Sequence, residues 1–185
     1  MTRIVAGEAG GRRIEVPPGR GTRPTSDRTR EALFSTVQAV IDLTGANVLD
    51  LYAGSGAVGL EALSRGAAHA LLVEDDPKAL RTLRTNATAL GLAGAEVRAE
   101  RAERLATTPA PRAYDLVFAD PPYGLDAGEL AAVLTALDEH GWLASDALVV
   151  VERASRDADW VWPRPLAAAR SRRYGEGCLW YGRRS

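Results

Sequence analysis

The sequence predicts an α/β fold built on a mostly parallel sheet. Short apolar, β-branched runs alternate with stretches of helical periodicity, a glycine-rich turn joins the first such run to a helix, and 185 residues suffice for one domain with a full core. In chain order, residues 2 to 16 read as a glycine-broken β-hairpin and 17 to 24 as a Pro/Gly linker. This sets off a basic extension, 1–24, from a main domain, 25–185. Thr25 or Ser26 caps a helix running to about Leu43, with Ala32, Leu33, Val37, Val40 and Ile41 on its apolar face. Strands are expected near 47–52, 69–74, 95–99, 114–119 and 147–152, and helices near 57–65, 77–90 and 127–140. The last segment, about 166 to 183, reads as two strands turning at Gly175-Glu176-Gly177.

Two motifs carry chemistry. Asp120-Pro121-Pro122-Tyr123 follows the apolar run that ends at Phe118-Ala119. Proline fixes φ and donates no hydrogen bond, so this rigid turn presents acceptors, the Asp120 carboxylate and the Pro121 carbonyl, which suit a planar NH2 group. Tyr123 adds a flat face on which a nucleobase could stack, worth roughly 1 to 3 kcal/mol per base. A plain strand-ending turn would use the same prolines as stop signals. The second motif, Asp50 to Gly59, places Gly54, Gly56 and Gly59 at G-x-G-x-x-G spacing between a strand and a helix. Glycines so spaced permit close approach of backbone to ligand, or merely tight strand–helix packing. Glu74 ends the next strand, twenty residues beyond Gly54, where a carboxylate can accept both hydroxyls of a ribose. That geometry suits either a dinucleotide or S-adenosylmethionine.

Together the motifs resemble class I S-adenosylmethionine-dependent methyltransferases acting on exocyclic amines. With the block Arg23-Pro24-Thr25-Ser26-Asp27-Arg28-Thr29-Arg30-Glu31-Ala32-Leu33-Phe34, the basic opening through Arg12-Arg13 and the ending Arg173-Tyr174-Gly175, the chain is similar to the RsmD family of 16S rRNA guanine-N2 methyltransferases. The resemblance implies a Rossmann-like sheet of seven strands whose last hairpin is antiparallel, with S-adenosylmethionine as cofactor. It implies that Asp50, Tyr52, Gly54, Gly56 and Gly59 surround the methionine part, that Glu74 holds the ribose, and that Thr25 and Arg28 close over the cofactor carboxylate. The adenine would lie near Ala102, where Arg101 departs from the Asp or Asn usual in related enzymes. Asp120, Pro121, Pro122 and Tyr123 become the catalytic turn, and the partner becomes 16S rRNA within a small ribosomal subunit or its assembly intermediate.

Composition agrees. The net charge of −1 conceals a segregation: residues 1 to 30 carry +4, residues 164 to 185 carry +5, and the middle carries −10. Basic ends suit phosphate contacts, through Arg3, Arg12 and Arg13 at one end and Arg170, Arg172 and Arg173 at the other; an acidic middle suits a cationic sulfonium. The single cysteine, Cys178, permits no internal disulfide, and His69 and His140 lack partners at metal-ligand spacing, so no metal site is expected. Each histidine reads as a strand-edge or helix-end residue. There is no long apolar run and no signal pattern, which leads to the expectation of a cytoplasmic monomer. Phe118 reads as core, whereas Trp142, Trp160, Trp162 and Trp180 could be core or RNA platforms. Three other functions share parts of the pattern: an adenine-N6 methyltransferase, an NAD-dependent oxidoreductase that would leave Asp120 to Tyr123 idle, and a non-enzymatic RNA-binding module.

Overall fold

A computed structural model describes residues 2–17 and 26–185. The first two strands, β1 (Thr2–Arg3) and β2 (Arg13–Ile14), pair antiparallel as a small separate sheet. The helix α1 (Asp27–Val40) begins at Ser26, whose side chain accepts a hydrogen bond from the Thr29 amide. It buries Leu33 and Val37 as expected, but Val40 is exposed and the buried face instead takes in Arg30, Phe34 and Thr36. The helix also stops before Leu43, because the chain turns extended at Ile41.

The main sheet is built from β3 (Asn47–Asp50), β4 (His69–Glu74), β5 (Ala95–Ala99), β6 (Tyr114–Ala119), β7 (Leu143–Ala154), β8 (Leu166–Tyr174) and β9 (Gly177–Arg184). Their spatial order is β5-β4-β3-β6-β7-β9-β8. The pairs from β5 to β7 are parallel, and the β8–β9 hairpin joins β7 antiparallel. The expected seven-stranded sheet is therefore present. The helices α2 (Ala57–Ser64), α3 (Pro77–Leu90), α4 (Ala102–Ala106) and α5 (Ala127–Glu139) connect the strands. The five-residue α4 has no counterpart in the sequence expectation; a single turn and a half is too short for its periodicity to be read.

Alternation along the strands splits the core in two. Val48, Leu72, Phe118 and Val150 face one side with α1, α2 and α3, while Leu49, Val73, Val117 and Val151 face the other with α4 and α5. Ile4, Ala9 and Ile14 of the N-terminal hairpin are buried in the first of these clusters. The hairpin is held there by Glu61 of α2, a fully buried carboxylate that accepts from the Val5 amide at 2.8 Å and the Ala6 amide at 3.0 Å. Arg30 at 3.2 Å and Arg65 at 2.9 Å complete its shell. Trp142 and Trp160 are core residues, with Trp142 stacked on Tyr114 at 5.8 Å; this decides two of the four tryptophans against an RNA role. His69 begins β4 and His140 caps α5. No helix among the described residues is long and apolar enough to cross a membrane.

Candidate active site

In a parallel sheet the carboxyl ends of the strands face one edge, and ligands gather where the chain order reverses. Here that reversal lies between β3 and β6, and a cleft of about 890 Å³ opens above it. Four acids line the cleft from four adjacent strands: Glu74 on β4, Asp50 on β3, Asp120 just past β6, and Glu152 on β7. Each continues the alternation of the same face, since Leu72, Val48, Phe118 and Val150 all belong to one cluster. The register sets their depth. Asp50 is opposite both Leu72 and Phe118, so Glu74 and Asp120 each stand two residues beyond it, and Ala119 opposite Val151 puts Asp120 level with Glu152.

Asp50 forms the floor. It is 2 % exposed, its Oδ2 accepts from the Gly59 amide at 3.0 Å, and burial pushes its carboxyl up to about 7. Glu74 holds the rim of the glycine loop: its Oε1 accepts from Gly54 at 2.8 Å, and its Oε2 from Asp75 at 3.1 Å and Asp76 at 3.0 Å. Oε1, with one donor, keeps lone-pair capacity for another such as a ribose hydroxyl.

The three loop glycines differ in what they face. Gly54, at φ +57°, faces the cleft with open space where a side chain would stand. Gly56 and Gly59 lie behind the wall; a Cβ would meet Leu83 at 2.5 Å in the first case and Leu72 at 2.6 Å in the second. They let α2 pack against the sheet, and Gly59 in addition fixes Asp50. Asn86 of α3 rivets the loop from below, donating to the Ser55 carbonyl at 2.8 Å and pairing with both backbone groups of Glu15.

Tyr52 lines the cleft, and its buried hydroxyl has no hydrogen-bond partner among the described residues, an unsatisfied donor of the kind a bound ligand would complete. Ala102, at the start of α4, lines the same end as Glu74, and Arg101 beside it carries no capping bond. The start of α1 contributes Ser26 and Thr29 to the lining; Arg28 is exposed and not part of it. Thr25 lies outside the described residues. The orphaned Tyr52 hydroxyl, the open face of Gly54 and the acceptors of Glu74 together fit a nucleoside bearing an amino-acid chain.

At the other end, Asp120, Pro121, Pro122 and Tyr123 line the cleft together, with Tyr123 70 % exposed and open to an incoming ring. Burial raises the Asp120 carboxyl well above the usual carboxylate range; the charges of Glu152 and Asp50 add to the rise and Arg153 opposes it. Tyr174 lies on the same wall, with the Arg172 guanidinium 5.6 Å over its ring. Glu152 has no place among the residues expected from sequence. The available signal is its position as an acid ending an apolar strand, like Glu74.

Comparison with known proteins agrees with this geometry. The family described as "Conserved hypothetical protein 95" matches residues 2–183. The Escherichia coli protein named "Ribosomal RNA small subunit methyltransferase D" is 43% identical over 151 residues, covering 81% of this chain and 73% of that one. The chain belongs to the RsmD family. A solved structure, "Putative methyltransferase yhhF from Escherichia coli", superposes with a TM-score of 0.85 at 35% identity, covering 99% of this chain and 97% of the other. A Thermus thermophilus structure, hypothetical protein TTHA0928, gives 0.78 at 33% identity and covers 98% of each chain. As an RsmD-family enzyme, the protein is a methyltransferase. That membership removes the oxidoreductase and the non-enzymatic RNA-binding readings.

Proposed function

We propose that this enzyme, a cytoplasmic monomer, transfers the methyl group of S-adenosylmethionine to the exocyclic N2 amine of a guanine in 16S rRNA of the small ribosomal subunit. The observation that carries the reading is the level of Asp120 in the sheet. It lies on the same strand-end edge as the glycine loop and Glu74, two strands from the proposed ribose acceptor and beside the exposed ring of Tyr123. The relatives' named activity on small-subunit rRNA supports the substrate class.

S-adenosylmethionine supplies an electrophilic methyl on a sulfonium, carried off as a neutral thioether once the methyl leaves. The protein's part is alignment and charge. Glu74, Gly54 and Tyr52 would hold the nucleoside and amino-acid portions, and the acids lining the cleft, Glu74, Asp75 and Asp76 among them, favour a cation within it. The guanine amine is conjugated with its ring and is a poor nucleophile. Asp120 and the Pro121 carbonyl would each accept one of its N–H bonds, turning the nitrogen lone pair toward the methyl. Asp120 then takes the proton released as the new C–N bond forms; its raised proton affinity suits that step. A base engaged in stacking must first be splayed out, and Tyr123 offers it a new face. We place the RNA-facing surface at Arg3, Arg13, Arg172 and Arg173, whose side chains are largely open to solvent. Arg12 serves the fold instead, since its guanidinium donates to the Ala89 and Leu90 carbonyls and so pins the hairpin to the end of α3.

Incubation with labelled S-adenosylmethionine and small subunits lacking the modification, followed by nucleoside mass spectrometry, tests the reading. N2-methylguanosine is the expected product; N6-methyladenosine would overturn it.

A further inference from the structure

We propose that Glu152 reads the N1–H edge of the target guanine and is the residue that separates guanine from other amine-bearing bases. The inference rests on the guanine-N2 reading and extends it to a residue that no part of the cofactor or catalytic assignment uses.

An acceptor at Asp120 alone cannot tell one base from another, since cytosine, adenine and guanine all carry an exocyclic NH2. Guanine differs in having a second donor, N1–H, directly beside that amine. Adenine has a lone pair at the ring nitrogen beside its amine, and so has cytosine. Two adjacent carboxylates therefore match guanine, while either competitor sets a lone pair against a negative oxygen.

The sheet provides such a pair. Ala119 and Val151 are in register on neighbouring parallel strands, so the next residue of each, Asp120 and Glu152, leave the sheet side by side, a strand spacing of about 4.8 Å apart. Both continue the alternation of Phe118 and Val150 and project to the same face. Both line the cleft that holds the catalytic turn. The Glu152 carboxylate lies by Gly177 at the start of β9, where its Oε2 is 3.8 Å from the place a Cβ would occupy. Arg153, the next residue along β7, projects to the opposite face, where it donates to the Leu125 carbonyl at 3.2 Å and faces Asp157. Glu152 also stands first among the charges that raise the Asp120 carboxyl, as expected for two carboxylates facing one small space.

The test uses full-length enzyme and 16S RNA assembled into small subunits, with guanosine or 2-aminopurine at the nucleotide the wild-type enzyme modifies. 2-Aminopurine keeps the N2 amine but replaces N1–H by a lone pair. Wild-type enzyme should prefer guanosine by 10²-fold or more in kcat/KM. In Glu152→Gln, whose amide can donate to that lone pair, the preference should shrink at least tenfold while affinity for S-adenosylmethionine and the melting temperature stay unchanged. An unaltered preference in a folded variant overturns the role of Glu152 and leaves the guanine reading standing. Absence of N2-methylguanosine from the wild-type reaction overturns both. If Glu152→Gln does not fold, Glu152→Asp retains the charge one carbon further back; its guanosine kcat/KM should fall at least tenfold, and an unchanged value overturns the proposal.

Discussion

Glu74 Oε1 accepts a hydrogen bond from the Gly54 amide at 2.8 Å, so the proposed ribose acceptor and the glycine loop are one mechanical unit. The twenty-residue separation in sequence becomes a direct contact because β3 and β4 are parallel neighbours. Removing the carboxylate then withdraws a ligand acceptor and unpins the loop together. Glu74→Ala should weaken S-adenosylmethionine binding by at least about 1.5 to 3 kcal/mol, the range for hydrogen bonds to a charged group. Unchanged affinity by calorimetry in a folded variant would remove Glu74 from the site.

Asp50 makes stability depend on pH. Its carboxyl has an ordinary value of 3.8 and is pushed up to about 7 by burial, so the folded chain holds a proton that the unfolded chain has already lost. Stability is thus greatest below about pH 4 as far as this group is concerned, and falls as pH rises toward 7. Asp50→Asn retains an acceptor for Gly59 and removes the titration. Its unfolding free energy relative to wild type should rise between pH 4 and pH 8 by on the order of a few kcal/mol. Parallel denaturation profiles for the two proteins across that range would contradict the assignment.

Glu61 is the joint between the hairpin and the body of the protein. Glu61→Ala would take from the fully buried Arg30 its buried charge partner and leave the Val5 and Ala6 amides unsatisfied. Breaking one side of a buried pair costs about 3 to 5 kcal/mol. Urea denaturation should show a loss of that size; a loss below about 1 kcal/mol would mean the hairpin is held by its apolar contacts and by the Arg12 and Asn86 hydrogen bonds.

The arginines should separate into two kinds. Replacing Arg13, Arg172 and Arg173 together by glutamine should weaken RNA binding and flatten its salt dependence by roughly 0.7 to 0.9 units of log-log slope per lost contact, with no change in melting temperature. Arg12→Gln should instead lower the melting temperature, because its guanidinium ties the hairpin to α3. A wild-type salt slope in the triple variant would place the RNA surface elsewhere.

The fold is legible in the sequence because the strands here are short apolar runs with abrupt ends, and the expected strand at 69–74 coincides with β4. The turn at Asp120 and Glu74 are legible for the same reason, since acids that end buried strands stand out. The division of labour among the glycines is not: whether a glycine faces ligand or a packed leucine depends on Leu72 and Leu83, which spacing does not reveal. Nor are Glu61, Arg30 and Asn86 legible. The partners that tie them to other elements lie 31 to 71 residues away, and in the sequence they read as ordinary polar positions on helices. Charge alone groups Arg12 with the other arginines of the basic ends, and only tertiary structure shows that its guanidinium turns to two backbone carbonyls.

On the proposed mechanism, the turn at Asp120 performs chemistry in a site whose cofactor is held elsewhere, by Glu74 and the glycine loop. The measurement that bears on this most directly is the turnover of Asp120→Ala at saturating RNA and S-adenosylmethionine, made alongside a calorimetric cofactor affinity. The variant's kcat should fall by 10²-fold or more with cofactor affinity nearly intact, because only the transition state feels this acceptor fully. Turnover comparable to wild type would contradict the mechanism.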